Sequence, residues 1–174
     1  MIYSELRSDT DLLNDLDEAK RVFLVGCPAC ANASLYIQKA AENTAMLTLT
    51  PTGYKAVSME EEVDRLTHVL ADKGLDVDSW LGKYPTIALC LLDESTRKKL
   101  SEKSQDFETV ITLCCDAGTN SVKGILSGKR VIAAMNARGI TTAVTKSKMM
   151  FTKLYVDKST VDVMRFKLDT QARS

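Results

Sequence analysis

The chain of 174 residues carries a single histidine, His68. A serine or cysteine hydrolase triad needs an imidazole beside its nucleophile, and no Gly-x-Ser-x-Gly elbow is present either. His68 falls on a helical stretch and reads as a surface or packing residue. Net charge is also missing: 23 basic residues balance 23 acidic ones, so no global field draws the chain to nucleic acid or to a membrane. No apolar run approaches the roughly 18 residues of a transmembrane helix. Met1 to Lys20 is polar and acidic, without the apolar core of a signal peptide. A cytoplasmic protein is expected. Phosphate-binding loops are lacking too. Gly124 and Gly128 do not make a dinucleotide fingerprint, and Gly128-Lys129-Arg130 lacks the hydroxyl residue and upstream glycine of a phosphate loop. The basic residues Lys146, Lys148, Lys153, Lys158, Arg165 and Lys167 are not interleaved with aromatics, so they read as a solvated face and nucleic-acid binding is not expected.

What the chain does have is sulfur. Five cysteines, an odd number with no secretion signal, argue against a disulfide framework and for metal or redox chemistry. The bland alternative is that they are small buried hydrophobes, which suits Cys114 best. In Arg21-Val22-Phe23-Leu24-Val25-Gly26-Cys27-Pro28-Ala29-Cys30-Ala31 an apolar strand ends in glycine and runs through a Cys-x-x-Cys into an alanine-rich helical pattern. Two thiols then sit at the carboxyl end of a strand and the amino end of a helix, where ligands collect in open α/β sheets. The helix dipole is expected to favour thiolate over thiol there. A second stretch, from Val110 to Gly118, repeats the layout, with Cys114 and Cys115 at a strand end.

Read in order, Ser8 or Asp9 caps a helix over 8–20, and Leu12, Leu13 and Leu16 form its stripe. Strand 21–26 suits a central position covered on both faces. Ala33, Ile37, Ala40 and Ala41 give a helix over 29–43, and 45–50 reads as a half-buried strand ended by Pro51-Thr52-Gly53. Ser58 and Glu61 make a capping box, and Val63, Leu66, Val69 and Leu70 stripe the helix that Gly74 ends. Val77 to Tyr84 reads as a connector with Trp80 plugging the core, 86–92 as a buried strand, and 93–105 as an exposed helix. Strand 109–114, a helix near 120–126 and strand 130–135 follow. This alternation implies a three-layer α/β fold with a mainly parallel, Rossmann- or flavodoxin-like sheet over residues 1–139. A mixed, β-rich extension over 140–174 is expected to pack on the same domain or meet a partner.

Four thiolates make a closed site for zinc or an iron–sulfur cluster. Cys27 and Cys30 supply two. If the strands ending at Cys27 and Cys115 are adjacent, their carboxyl ends lie about 5 Å apart, and Cys90 would supply the fourth from the remaining core strand.

Val25-Gly26-Cys27-x-x-Cys30-Ala31, then Cys115-Asp116-Ala117-Gly118 followed by Val122, Gly128-Lys129, Val131 and Asn136, resembles the C-terminal domain family of methylenetetrahydrofolate reductase. The likeness covers roughly residues 10 to 140. In acetogens and related anaerobes that family occurs as a separate small subunit. The resemblance implies a cysteine-rich accessory protein, rather than a stand-alone catalyst, that works with a flavin-containing reductase of one-carbon metabolism. It assigns the ligand role to Cys27, Cys30, Cys90 and Cys115, with Cys115 aligning better than Cys114, and puts Gly26 and Gly118 beside the cofactor. A [4Fe–4S] cluster would relay electrons between a ferredoxin-like carrier and the flavoprotein; zinc would be structural. Two positions depart from the family pattern: Ser34 stands where a further cysteine is usual, and Asp116 where glycine is.

Two other classes compete. Cys27-Pro28-Ala29-Cys30 is similar to a thioredoxin-type dithiol, with Tyr84-Pro85-Thr86 as its cis-proline loop, although Gly26 replaces the usual aromatic neighbour. The third reading is a cofactor-free α/β interaction module.

Overall fold

The central strands of the parallel sheet are set by short apolar runs, and each helix by a cap or a buried stripe. The computed structural model describes residues 1–16, 19–39, 44–82 and 88–167. In chain order the elements are β1 (Ile2–Leu6), α1 (Asp9–Asn14), β2 (Arg21–Gly26), α2 (Cys30–Lys39), β3 (Leu47–Thr50), β4 (Gly53–Ala56), α3 (Val57–Ala71) and β5 (Asp76–Leu81). Then come α4 (Glu94–Lys103), β6 (Thr109–Leu113), α5 (Asp116–Ile125), β7 (Arg130–Ala133), β8 (Met135–Thr142), β9 (Thr145–Lys148), β10 (Lys153–Val156) and β11 (Asp162–Arg165).

The protein is α/β with mixed sheets. One sheet is four-stranded and parallel, in the order β5-β2-β6-β7. The other two, β1-β8-β11 and β4-β3-β10-β9, are antiparallel. The expected dominance of one parallel sheet is therefore too simple. The reason lies after Ala134, where the chain stops alternating strand with helix and runs four strands that join segments from its first third. Among the described residues no helix is long and apolar enough to cross a membrane.

β2 and β6 occupy the middle of the parallel sheet, and from Val22 to Val25 and Val110 to Leu113 their residues are fully buried or nearly so. A strand covered on both faces has no solvent side, which explains the unbroken apolar runs. The apolar run expected as a strand over 86–92 is a different case. Residues 86 and 87 lie outside the described residues; Ala88 to Leu92 forms a turn, closed by Leu91 N donating to the Ala88 carbonyl at 2.8 Å. Leu89 is fully buried in the core and Leu92 packs partly against it, while Leu91 is 81% exposed. The edge place beside β2 goes instead to β5, in the stretch expected as a connector. Asp76 and Asp78 keep this edge strand from looking like a core strand, and edge charges of that kind deter pairing with other chains.

Ser8 caps α1 by accepting from the Asp11 amide, and Asp93 caps α4 by accepting from Thr96. The expected capping box at Ser58 and Glu61 does not form: α3 begins at Val57 with no cap from its own chain segment. Asn32, on α2 and 1% exposed, does that work from outside, its Oδ1 accepting from Met59 N at 3.0 Å while its Nδ2 donates to the Met46 carbonyl at 3.2 Å. The same helix pair shares a buried carboxylate. Glu62 meets Lys39 Nζ at 2.7 Å and Arg65 at 2.7 Å, and Arg65 reaches on to Asp9 with two bonds of 2.7 and 2.8 Å. A buried charge persists only when paired in this way.

Candidate functional site

The parallel sheet reverses its winding between β2 and β6. From β2 the chain moves outward to β5, then returns to the other side of β2 to make β6 and β7. Loops leaving the carboxyl ends of β2 and β6 therefore part in opposite directions and leave a crevice at that point. Both cysteine-bearing segments start there. Gly26 pairs with Leu113 in register, and Cys27 N donates to the Leu113 carbonyl at 3.0 Å, so the two strand ends are stitched together.

Cys27 is 3% exposed and follows β2 directly. Pro28-Ala29 makes the turn, and Cys30, partly exposed, is the first residue of α2. Cys115 is buried at the N-cap position of α5. Cys90 is exposed at the rim, on the turn that Leu89 pegs into the core. Cys27 lies within electrostatic range of Cys115 and Cys30, Cys115 within range of Cys30 and Cys90, and Cys114 within range of Cys27 and Cys115. The adjacency expected of the two strands is present, and Cys90 stands on a turn rather than on a strand.

Burial decides the state of these thiols. It pushes Cys27 up to about 11, against the partial relief given by the backbone amides of Leu89 and Ala29. Cys115 is also raised, by burial first, with the amides of Gly118 and Ala117 opposing. The expectation that a helix terminus would favour thiolate is overturned at Cys27, because a dipole near the surface contributes less than the loss of water around a buried anion. At neutral pH both thiols are protonated.

Cys114 belongs to a separate, inward arrangement. Thr112 Oγ1 donates to the Ile132 carbonyl at 3.3 Å and lies 2.9 Å from Thr119 Oγ1, which lies 3.3 Å from Cys114 Sγ. Every hydroxyl proton is used when Thr119 donates to Thr112 and Cys114 donates its S–H to Thr119. Burial pushes this thiol up to about 12. Sequence reasoning missed Thr112 and Thr119, which carry no motif; two hydroxyls inside an otherwise apolar strand–helix unit were the available signal.

The two glycines expected beside a cofactor are filled from within. A Cβ on Gly118 would sit 3.1 Å from Cys114 Sγ and 3.2 Å from Leu89 Cβ, and one on Gly26 would sit 2.9 Å from Leu81 Cδ1 and 3.1 Å from Met59 Sδ. Ser34 is committed to structure: it donates to the Cys30 carbonyl at 2.9 Å and accepts from Ser4 N at 3.1 Å, tying α2 to β1. His68, exposed, rests its Nδ1 2.6 Å from the Asp64 carbonyl on its own helix. The loop Tyr84-Pro85-Thr86 lies outside the described residues.

Beside Cys30 opens a cleft of about 320 Å³, lined mainly by apolar groups including Pro28, Ala33, Met46, Leu47 and Leu154. Among the described residues no group of three or more His, Cys, Asp or Glu side chains is already placed to hold a metal ion. No family model, curated protein or solved structure matches the chain.

Proposed function

We propose that the protein is an accessory subunit that holds a metal centre, a [4Fe–4S] cluster or zinc, through Cys27, Cys30, Cys90 and Cys115. The observation that carries this reading is the joining of the two strand ends, with Gly26 in register with Leu113 and Cys27 N bonded to the Leu113 carbonyl, which brings the Cys27–Cys30 turn beside the segment that holds Cys115. The donor set fits. All four are thiols, the ligand type of cluster irons and structural zinc, and backbone amides already face two of the sulfurs, as they do around thiolate-bound metals. Closing the site would take loss of the thiol protons, which binding to metal drives.

A thioredoxin-type dithiol is less well supported, since it needs a thiolate near neutral pH and Cys27 is held at about 11. The strand order β5-β2-β6-β7, with helices between, supports a flavodoxin-like arrangement for the parallel sheet. The resemblance at 25–31 and 115–136 extends the reading to a cytoplasmic partner of a flavin-containing methylenetetrahydrofolate reductase, drawing electrons from a ferredoxin-like carrier when the centre is a cluster.

The deciding experiment is iron, zinc and acid-labile sulfide analysis of protein purified without oxygen. About four irons and four sulfides per chain, or one zinc, support the reading. A metal-free protein that also refuses reconstitution with iron and sulfide, and with zinc, ends it.

A further inference from the structure

The turn between β9 and β10 is built in a way that a simple hairpin does not require. Met149, Met150 and Phe151 all have left-handed backbone, with φ of 52°, 51° and 68°. Such positions ordinarily go to glycine or asparagine, because a side chain there is strained. Here three large apolar residues take them in succession, and their side chains are 70%, 93% and 66% exposed. The loop is nonetheless held. Thr152 N donates to the Met149 carbonyl at 3.1 Å, and Tyr54 Oη donates to the Phe151 carbonyl at 2.7 Å. Leu49, 46% exposed, adjoins the tip through its amide bond to the Thr152 carbonyl at 2.7 Å.

The collar below the tip is basic. From Thr145 to Val156 the chain holds Lys146, Lys148 and Lys153 and no acidic residue. Lys148 lies over the Tyr155 ring at 4.9 Å, and Lys146 pairs with Asp157 at 2.6 Å from beyond the hairpin. The charge balance of the whole chain hides this local excess.

We infer that the β9–β10 hairpin docks on an anionic lipid surface, its Met149-Met150-Phe151 tip entering the boundary between headgroups and acyl chains while Lys148 and Lys153 meet the phosphates. An apolar tip above a basic collar has the two components of interfacial binding: burial of apolar area and attraction to negative lipid. Three adjacent side chains, each separately exposed, suit a diffuse apolar medium better than a protein pocket that accepts one anchor or a base step that accepts one wedge. The inference uses no residue of the thiol centre and stands apart from it.

The test is flotation of the full chain with vesicles of phosphatidylcholine and phosphatidylglycerol at 3:1, with pure phosphatidylcholine vesicles in parallel. Binding is expected to the mixed vesicles, weaker by about tenfold or more on pure phosphatidylcholine and in high salt. The triple variant Met149→Ser, Met150→Ser, Phe151→Ser is expected to lose at least about tenfold in partitioning while its circular dichroism is unchanged, because none of the three side chains is in the core. Lys148→Gln with Lys153→Gln is expected to lose the preference for the anionic vesicles. No flotation of the wild type, flotation of the triple variant at the wild-type level, or binding to a DNA duplex in place of vesicles would each overturn the inference.

Discussion

Cys114 packs inward against the Thr119 hydroxyl, whereas Cys115 stands at the N-cap of α5 with the amides of Gly118 and Ala117 facing it. Neighbours in sequence therefore take different parts. With metal bound, Cys115→Ser is expected to remove most of the metal, while Cys114→Ser retains it, since a serine hydroxyl at that place still donates to Thr119. Metal content of the two variants checks this, and equal loss in both would reassign the ligand. The buried thiols also set an alkaline limit for the metal-free protein. Their folded-state values, about 11 for Cys27 and about 12 for Cys114, lie above those of an unfolded thiol, near 8.5. The folded chain then binds more protons than the unfolded one between those values. The stability they contribute is fully present below about pH 8.5 and is lost as pH rises through 11 to 12. Thermal melts from pH 8 upward are expected to fall, and the fall is expected to be shallower in Cys27→Ala.

At the scale of elements, Asn32 joins α2 to the start of α3 and to the strand region at Met46. Asn32→Ala strands the buried Met59 amide, while the Met46 carbonyl keeps its bond from Val57 N, and is expected to destabilise the protein by about 1–3 kcal/mol, measured by urea unfolding. This contact also explains a misreading. Ser58 and Glu61 have the spacing of a capping box, but α3 begins at Val57 with Asn32 capping the Met59 amide, so Ser58 lies inside the first turn, and its Oγ is buried without a partner. The strands β2 and β6 were legible because burial on both faces leaves only apolar residues. The edge strand β5 and the turn at 88–92 were exchanged, because a charged edge strand looks like a loop and a turn pegged by one leucine looks like a core strand. Convergence of the strand ends at Cys27 and Cys115 followed from two matching motifs; the contribution of Thr112 and Thr119 depended on packing that no spacing encodes.

In the whole molecule the first and last thirds of the chain are interlaced. β8 runs across position 139, pairing on one side with β1 and on the other with β11. Gly139 lies where β11 comes closest: a Cβ there would stand 2.3 Å from the Met164 carbonyl oxygen. Gly139→Ala must push β11 away, and a loss of about 1–3 kcal/mol, with a lower melting temperature, is expected. The expected division at 139/140 thus falls inside a strand, and the extension supplies partners to β1's sheet and, through β10, to β3.

That interlacing has a consequence for proteolysis. The Met149–Phe151 tip is the natural place for chymotrypsin to cut, and a cut after Phe151 would divide the covalent chain without dividing the particle. The shorter fragment keeps β10 beside β3 and β9, and β11 beside β8, so the two pieces should co-elute under native conditions and separate only in denaturant. Fragments 1–151 and 152–174 made separately are then candidates for reassembly by complementation.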